Sequence, residues 1–329
     1  MDTGKRKKKI MIDSKILRRR KGDRFIGLAD IGSNTIHGVV YKVNNGDTTK
    51  ILNHKDSTEL ISYICAGILS DEGIDRLCSE VKQLDDLFRL SECDEVDFFA
   101  TSALRSAVNC DEALRIVREE TGVCIRLIDG KQEARYDYMA MKKNCREKNA
   151  VGLDLGGGSL QAVLMENGEL SRSTSLECGC LRIYNAFVKG ILPTETETRE
   201  IIEYVKYLFE SDIVMRSIRK DMNTLSGCST YMIGGTARAF GKFHRALEDM
   251  SGGKRVYSVD EGALKQVMDV YREDEGYCVY LTNKLFPERI CTFLPGIIVF
   301  RAVTEFLGSR ELRVIRDGIR EGVLQHDHI

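Results

Sequence analysis

The chain has 329 residues and carries 49 lysines and arginines against 50 aspartates and glutamates. This near balance excludes a protein that is basic throughout, and 43% hydrophobic with 30% charged residues is the composition of an ordinary soluble protein. The length suits two domains of ordinary size, or one domain that carries large insertions.

The start of the chain is strongly basic. Residues 1–24 contain eleven lysines and arginines but three acidic residues. Because blocks of like charge repel one another, we expect residues 1–21 to form a disordered, solvated tail. The alternative is a guide that binds polyanions. We find no apolar run long enough to span a bilayer and no secretory leader, so we expect a cytoplasmic protein without membrane association.

An internal repeat begins just after this tail. Residues 27–40 read GLADIGSNTIHGVV and residues 151–164 read VGLDLGGGSLQAVL, which aligns Asp30 with Asp154. Each copy predicts an apolar strand, a tight glycine turn and a second strand. An Asn-Gly pair follows each copy and indicates a hairpin. The chain therefore looks duplicated.

Helices and strands alternate between and after the two copies. Apolar residues at helical spacing predict helices over residues 72–90 and 111–121, and apolar runs predict strands at residues 96–100 and 123–128. After the second copy we expect a long helix over residues 195–220, a strand at 231–233, helices from about 237, over 259–272 and over 294–307, a last strand at Val314 and Ile315, and a terminal helix. This alternation predicts an α/β layer architecture.

Eleven cysteines are scattered through apolar segments. Their odd number and their positions favour buried, reduced thiols over a disulfide framework. Cys178 and Cys180 form the one close pair in the sequence. A lone C-x-C without a nearby histidine is a weak signal for a metal site.

Three glycine turns stand at the ends of predicted strands, namely DIGSNT at residues 30–35, DLGGGS at 154–159 and GGT at 234–236. Glycine lets the backbone approach a ligand closely, and consecutive N–H groups form a concavity that favours an anion. One such turn often merely closes a hairpin, but three of them, two inside a repeat, predict phosphate binding. The sequence lacks both the P-loop pattern and the dinucleotide-binding pattern.

Asp30 and Asp154 occupy equivalent places at the ends of two strands. A carboxylate at such a place can hold Mg²⁺, with Mn²⁺ as an alternative, between phosphate oxygens. The competing interpretation is that each aspartate caps its own turn. Recurrence in both copies favours the metal role.

The sequence resembles the Ppx/GppA phosphatases, the exopolyphosphatases and guanosine pentaphosphate phosphohydrolases of the actin/Hsp70/sugar-kinase superfamily. The resemblance rests on ordered segments over most of the chain: GLADIGSNTIHGVV at 27–40, ATSALRSAVN at 100–109, IDGKQEAR at 128–135, GLDLGGGS at 152–159, ECGCLRI at 177–183, GGTAR at 234–238, LPGIIVF at 294–300 and DGIREGVL at 317–324. Each segment is short, but their number and order make the resemblance specific.

The resemblance implies an α/β fold of two duplicated, RNase H-like (actin/Hsp70-type) domains with a phosphate-binding cleft between them. We expect an N-terminal domain over residues 22–128 and a C-terminal domain over residues 129–311, in the short, two-domain form of the family. The terminal helix, within residues 312–329, is expected to pack back on the first domain.

The resemblance also implies roles for single residues. Glu133 would be the general base that orients and deprotonates the attacking water, and Arg105 would bind a phosphate oxygen through its planar guanidinium. Without the resemblance, Glu133 is interpreted as a surface residue in a helix's first turn, and Arg105 as a helix-surface arginine. The other phosphate contacts would come from Gly32, Ser33, Asn34, Thr35, Gly156, Gly157, Gly158, Ser159, Gly235, Thr236 and Arg289.

The sequence departs from the family pattern at two places. The second glycine turn usually continues Ser-Thr-Glu, and that glutamate is associated with metal binding, whereas this chain has Gln161. We expect the affinity for Mg²⁺ to fall, since glutamine keeps an oxygen but loses the charge. The family's paired glutamates become Gln132 and Glu133, and its Ser-Gly before them becomes Asp129-Gly130, so the base itself is kept.

The implied activity is hydrolytic release of the terminal orthophosphate from inorganic polyphosphate or guanosine pentaphosphate. The alternative, favoured by Gln161, is a sensor that binds a phosphate chain or nucleotide with weak or no turnover. A kinase of the superfamily is a third hypothesis, which the segment around Glu133 disfavours. The sequence leaves the choice of substrate open, and also the choice between a monomer and a homodimer.

Overall fold

Each copy of the repeat folds into a β-hairpin that begins a mixed sheet. The structure, a computed structural model, describes residues 19–225, 228–248 and 256–329. Most of the predicted basic tail, residues 1–18, thus lies outside the described residues.

The first sheet has five strands in the order β3-β2-β1-β6-β7, with β1 antiparallel to β2 and parallel to β6. The elements up to the end of this sheet are β1 (Arg24–Ile31), β2 (Ile36–Asn44), β3 (Asp47–Asp56), a 3-10 turn (Leu60–Tyr63), β4 (Ile64–Cys65), β5 (Ile68–Leu69), α1 (Asp71–Leu90), β6 (Glu95–Ala100), α2 (Ser102–Arg105), α3 (Cys110–Thr121) and β7 (Ile125–Leu127).

The second sheet repeats this order and adds one edge strand, giving β10-β9-β8-β11-β13-β12. Its strands and helices are α4 (Gly130–Asn144), β8 (Ala150–Leu155), β9 (Leu160–Glu166), β10 (Glu169–Leu176), α5 (Cys180–Phe187), α6 (Glu195–Ser211), α7 (Ile213–Met222), β11 (Ser229–Ile233), α8 (Gly234–Leu247), β12 (Val256–Asp260), α9 (Gly262–Glu273), α10 (Glu275–Leu285), a 3-10 turn (Pro287–Arg289), α11 (Phe293–Leu307), β13 (Glu311–Ile315), α12 (Ile319–Val323) and a π-helical turn (Leu324–His328).

The two hairpins are equivalent down to single hydrogen bonds. In the first turn the Gly32 N–H donates to the Thr35 carbonyl at 3.0 Å, and in the second the Gly156 N–H donates to the Ser159 carbonyl at 3.0 Å. The far ends of both hairpins close through Asn-Gly pairs with positive φ, 49° and 84° in one and 54° and 82° in the other. Two successive positive φ angles are what a type I′ turn requires, so the predicted duplication is confirmed.

Helices cover both faces of each sheet. On one face of the first sheet, Leu77 of α1 and Val117 of α3 belong to the same buried cluster as Ile31. On one face of the second sheet, helices α5 to α11 enclose the largest core, with Phe240 and Ile297 fully buried in it. This layering is the α/β architecture that the sequence predicts.

Helix α4 lies between the two sheets. Its Tyr136 joins a cluster with Leu28 of the first sheet, whereas its Tyr138 and Met141 join a cluster with Tyr231 of the second. Residue Val323 of α12 packs in the same cluster as Tyr136. Helices α4 and α12 therefore connect the two halves of the molecule directly beneath the cleft.

Several element boundaries differ from those predicted. The helix expected over residues 195–220 is two helices, because Asp212 adopts extended torsions (φ −84°, ψ 121°) and its carboxylate accepts from the Met215 N–H at 2.7 Å. An aspartate that caps the backbone in this way ends one helix and starts the next.

Other corrections concern the last third of the chain. The helix expected from about residue 237 already begins at Gly234, and strand β12 and helix α10 were not predicted. The last strand, expected at Val314 and Ile315, runs over Glu311–Ile315 as β13 of the second sheet, and the helical part of residues 312–329 begins at Ile319. In the described ranges, no helix has the length and apolar character needed to cross a membrane.

Candidate active site

The two glycine turns meet at a cavity of about 410 Å³. This volume is within the range of small-molecule sites. Its lining includes these residues predicted from the sequence: Asp30, Gly32, Ser33, Asn34, Thr35, Glu133, Asp154, Gly156, Gly157, Ser159, Gly235 and Arg289. Three further predicted residues, Arg105, Gly158 and Thr236, do not line the cavity.

The first turn presents polar side chains to the cavity. Ser33 and Ser102 share a hydrogen bond of 2.8 Å between their hydroxyl oxygens. Asn34 is 6% exposed, and among the described residues neither its amide nitrogen nor its amide oxygen has a hydrogen-bond partner. Since a buried amide rarely stays unpaired, Asn34 is suited to bind a ligand.

The second turn is held from behind by helix α5. The N–H groups of Cys180 and Leu181 donate to the carbonyls of Gly156 and Gly157, both at 3.0 Å. A Cβ on Gly158 would overlap the hydroxyls of Ser33 in the first turn and of Ser102 in α2, so the two turns approach each other closely at Gly158. Gly158 thus allows close approach between the domains and does not line the cavity.

The third glycine turn begins helix α8. Gly234 has φ +86°, and a Cβ there would overlap the Asp154 carboxylate, so only glycine fits. The Arg289 guanidinium lies against Gly235 and donates to the Thr236 hydroxyl at 3.3 Å. Thr236, which is 1% exposed, therefore orients Arg289 and does not face the cavity itself.

Glu133 lies in the first turn of α4 and is 7% exposed, so it is not a surface residue. Asp129 and Gln132 form a capping box at this helix start, with Asp129 accepting from the Gln132 N–H at 2.8 Å and Gln132 accepting from the Asp129 N–H at 3.0 Å. Asp129 and Gln132, which both depart from the family pattern, thus fix the helix end that carries Glu133.

Arg105 pairs with Glu133. Its guanidinium donates to the Glu133 carboxylate at 3.0 Å and to the Ile128 carbonyl at 2.9 Å. Burial raises the pKa of Glu133 to about 7, although Arg105 acts in the opposite direction. The structure therefore places Arg105 beside the predicted base and not on the cavity wall.

The two repeated aspartates lie close enough for each to affect the other electrostatically. Burial raises the pKa of Asp30, and the neighbouring Asp154 carboxylate raises it further. Arg320 lowers this pKa, since its guanidinium donates a hydrogen bond to Asp30 at 2.8 Å. Burial also raises the pKa of Asp154, which shares a hydrogen-bonding contact with Asp137 of α4.

Sequence reasoning missed Asp137. It is 1% exposed, and neither of its carboxylate oxygens accepts a hydrogen bond from a described donor. Burial raises its pKa well above the usual range, and the neighbouring Asp154 and Glu133 carboxylates raise it further. Asp137 stands four residues after Glu133 on the same helical face, which was the one available signal.

Several cations around the cavity were also missed. Arg238, Arg320, Lys55 and Lys242 line it together with His37. Arg238 and Arg320 lie in the segments GGTAR and DGIREGVL, which the sequence analysis singled out. The sequence does not show that the two side chains meet at one cavity.

These basic side chains lie close enough to one another that some lower the pKa values of others. Burial and the neighbouring Arg320 lower the pKa of Arg238, and burial and Arg320 also lower the pKa of His37 to about 3. Burial and the neighbouring Arg289 lower the pKa of Lys55. Five lysines and arginines therefore line the cavity together with four carboxylates, those of Asp30, Glu133, Asp154 and Glu288, and this excess of cations suits a polyanion.

Gln161 is the register partner of Asp154 on strand β9. Its amide nitrogen donates to the hydroxyls of Ser159 at 2.8 Å and of Ser175 at 2.9 Å. The same position in the first hairpin is His37, the register partner of Asp30. Gln161 thus braces the second turn through neutral hydrogen bonds.

All eleven cysteines are free, and Cys178 and Cys180 are fully buried. In the part of the chain that the structure describes, no group of three or more His, Cys, Asp and Glu side chains is arranged to hold a metal ion.

A comparison with known protein families matches residues 39–328 to the Ppx/GppA phosphatase family. The chain belongs to this family. The resemblance drawn from the short segments is thereby confirmed.

Individual Ppx/GppA relatives have modest sequence identity to this chain. Exopolyphosphatase 1 of Mycobacterium leprae is 28% identical over 306 residues, with 91% of this chain and 88% of the relative covered. The protein of the same name from Mycobacterium tuberculosis is 23% identical over 306 residues, covering 91% and 87%. A guanosine-5'-triphosphate,3'-diphosphate pyrophosphatase of Aeromonas hydrophila is 25% identical over 313 residues, but this chain spans 58% of its length.

Solved structures of Ppx/GppA proteins have the same fold. An exopolyphosphatase from Cytophaga hutchinsonii superposes with a TM-score of 0.80 at 19% identity, covering 92% of this chain and 97% of that one. The Aquifex aeolicus family member superposes with a TM-score of 0.71 at 23% identity, covering 93% and 100%. The expected fold class, two duplicated actin-like α/β domains, is confirmed.

Proposed function

We propose that this protein is a phosphohydrolase that releases the terminal orthophosphate from inorganic polyphosphate or from guanosine pentaphosphate. The relatives named exopolyphosphatase and guanosine pentaphosphate pyrophosphatase support this reaction class. The observation that carries the proposal is the position of Glu133, a buried carboxylate on the wall of an electropositive cavity between two glycine turns.

Glu133 has the properties of a general base. With a pKa of about 7 it is ionised in a large fraction of molecules near neutral pH and still binds a proton well. It would orient a water molecule and accept its proton as the oxygen attacks the terminal phosphorus. Arg105, which donates to the Glu133 carboxylate, would then act as a positioning residue, and its expected contact with a phosphate oxygen stays a prediction.

The glycine turns and the cations would bind the phosphate oxygens. The two glycine turns, the Asn34 side chain and Arg289 all line the cavity. Phosphoryl transfer chiefly requires an aligned nucleophile and stabilisation of charge on the oxygens. Glu133 would align the water, and the turns and cations would stabilise the charge.

The residues fit a divalent cation shared with the substrate. The neighbouring Asp154 carboxylate raises the pKa of Asp30, and Asp137, next to Asp154, accepts no hydrogen bond from a described donor. Mg²⁺ typically takes one or two carboxylates and completes its shell with waters and substrate phosphates, so two aspartates suffice. A bound Mg²⁺ or Mn²⁺ would neutralise charge on the phosphate oxygens.

The test is a side-by-side assay of orthophosphate release from polyphosphate and guanosine pentaphosphate at saturating Mg²⁺. We expect Glu133→Gln to lower kcat by at least about a hundredfold, the usual size of a general-base contribution. Glu203→Gln, on the exposed face of α6, is the control and should retain full activity. No release from either substrate, or an unimpaired Glu133→Gln protein, would refute the proposal.

The sensor alternative has no support in the relatives' names. It would be favoured if the protein bound both substrates but released no orthophosphate. Binding of polyanions by the basic tail, the cytoplasmic location and a homodimer remain predictions.

A further inference from the structure

A second cavity, of about 530 Å³, opens beside the first. The two share His37, Asn53, Arg238, Lys242 and Arg320 in their linings, so they adjoin each other. Both halves of the molecule contribute, since strand β3 forms one wall and helix α8 with strands β12 and β13 forms the other.

The lining of this second cavity is cationic. It contains these lysines and arginines: Lys50, Arg238, Lys242, Arg245, Arg316 and Arg320. No aspartate or glutamate of the described residues lines it. The nearby Glu321 pairs with Lys50 at 2.7 Å and Asp30 pairs with Arg320 at 2.8 Å, so two of these six charges are offset and an excess of positive charge is left.

One aromatic residue, Tyr257, also lines the cavity. The Arg245 guanidinium lies over its ring, 4.6 Å from the ring centroid. That face of the ring is therefore covered and is not free to stack on a nucleobase. A guanine edge also presents N–H donors, for which the described lining offers no carboxylate acceptor.

We propose that the second cavity binds the phosphates of an inorganic polyphosphate chain that lie beyond those held at the glycine turns. This inference rests on the proposed function, and it makes polyphosphate, not guanosine pentaphosphate, the better substrate. Like Lys50 and Arg316, Arg245 lines the second cavity and not the first, and we assign it as a specificity-determining residue. Chain phosphates there would gain charge-assisted hydrogen bonds without contributing to the reaction itself.

The experiment compares kcat/KM for tripolyphosphate, long-chain polyphosphate and guanosine pentaphosphate. We expect Arg245→Gln to lower kcat/KM for the long chain by about tenfold and to leave tripolyphosphate within about twofold, since one charge-assisted contact is lost at a remote site. Arg245→Lys should restore most of the long-chain activity. Arg199→Gln, an exposed arginine outside both cavities, is the matched control.

A second measurement separates this inference from the proposed function. Equilibrium binding of long-chain polyphosphate to the Glu133→Gln protein should weaken by about tenfold when Arg245→Gln is added, whether or not the parent protein shows turnover. Unchanged long-chain binding, or equal losses for tripolyphosphate and the long chain, would overturn the inference. A larger loss for guanosine pentaphosphate than for the long chain would assign the cavity to a nucleoside and overturn it as well.

Discussion

The residues around Glu133 set the pKa of its carboxyl group. Burial raises its pKa to about 7, and Arg105 at 3.0 Å limits that rise. A glutamate in a helix's first turn is ordinarily exposed, and here only packing between the two sheets removes it from water. The same packing buries Asn34 and Asp137, whose side-chain oxygens accept no hydrogen bond from a donor among the described residues.

The pH dependence of orthophosphate release should report on Glu133. Only the ionised carboxylate accepts a proton, so kcat/KM should fall about tenfold per pH unit below pH 7 and level off above it. Arg105 lowers this pKa, and Arg105→Gln should therefore move the acid limb to higher pH. Arg115→Gln, which removes an arginine exposed on α3, should leave the profile unmoved. A limb that shifts to lower pH in the Arg105 variant would contradict the assignment.

Gln161 should limit metal affinity. Replacing it with glutamate adds a negative charge at the register partner of Asp154, while the Ser159 and Ser175 hydroxyls can donate to the new carboxylate. We expect Gln161→Glu to lower the Mg²⁺ concentration needed for half-maximal activity and to tighten Mn²⁺ binding measured without substrate. The exposed Gln83→Glu serves as the charge control. Superimposable titration curves would reject this prediction.

Among the elements, helices α4 and α12 are the ones on which the site depends. Helix α4 carries Glu133 and contacts both sheets, and α12 carries Arg320, whose guanidinium holds Asp30 at 2.8 Å. The two helices pack so closely that Gly322 contacts the backbone of Tyr136. The geometry of the cleft therefore depends on this helix contact.

The substitution Gly322→Ala tests this contact. A Cβ at residue 322 would overlap the Tyr136 carbonyl oxygen, and backbone cannot rotate away as a side chain can. We expect a loss of about 1–3 kcal/mol in the free energy of unfolding, measured by urea denaturation. Gly190→Ala is the matched control, because its new Cβ would meet its nearest atom at 3.6 Å. Equal stability of the two variants would show that α12 adjusts freely.

On the scale of the whole molecule, the site belongs to neither sheet alone. The first sheet contributes Asp30 and the second contributes Asp154, while the segments joining them cross beside the cleft. The sequence suggests hinges at residues 128–130 and 308–314. Strand β13 occupies most of the latter segment, so we place the second hinge at residues 316–318, between β13 and α12.

Closure of the cleft on substrate should protect these hinges. We expect long-chain polyphosphate with Mg²⁺ to slow proteolytic cleavage of the Glu133→Gln protein at residues 128–130 and 316–318, as followed by mass spectrometry. Cleavage at the hairpin turn of residues 167–168, remote from the cleft, is the internal control. Identical cleavage rates with and without ligand would mean that the domains do not close.

The sequence alone determined the duplicated hairpins, the glycine turns and most helices. These features are local, because a tight turn requires glycine or asparagine and a buried helix face requires apolar residues at a fixed spacing. The same local information identified Asp30, Asp154 and, through family resemblance, Glu133. The prediction of one helix over residues 195–220 was wrong, because Asp212 caps a new helix in the middle of the apolar helical pattern.

Only the tertiary structure decided which distant groups meet. Arg320 binds Asp30 although the two residues are 290 positions apart in the sequence. Arg105 binds Glu133, whereas the sequence analysis expected one to bind a phosphate oxygen and the other to deprotonate water. The second cationic cavity likewise arises from strands and a helix that are far apart in the chain. Burial, pKa and charge convergence depend on what packs around a residue, and periodicity along one segment contains no information about that.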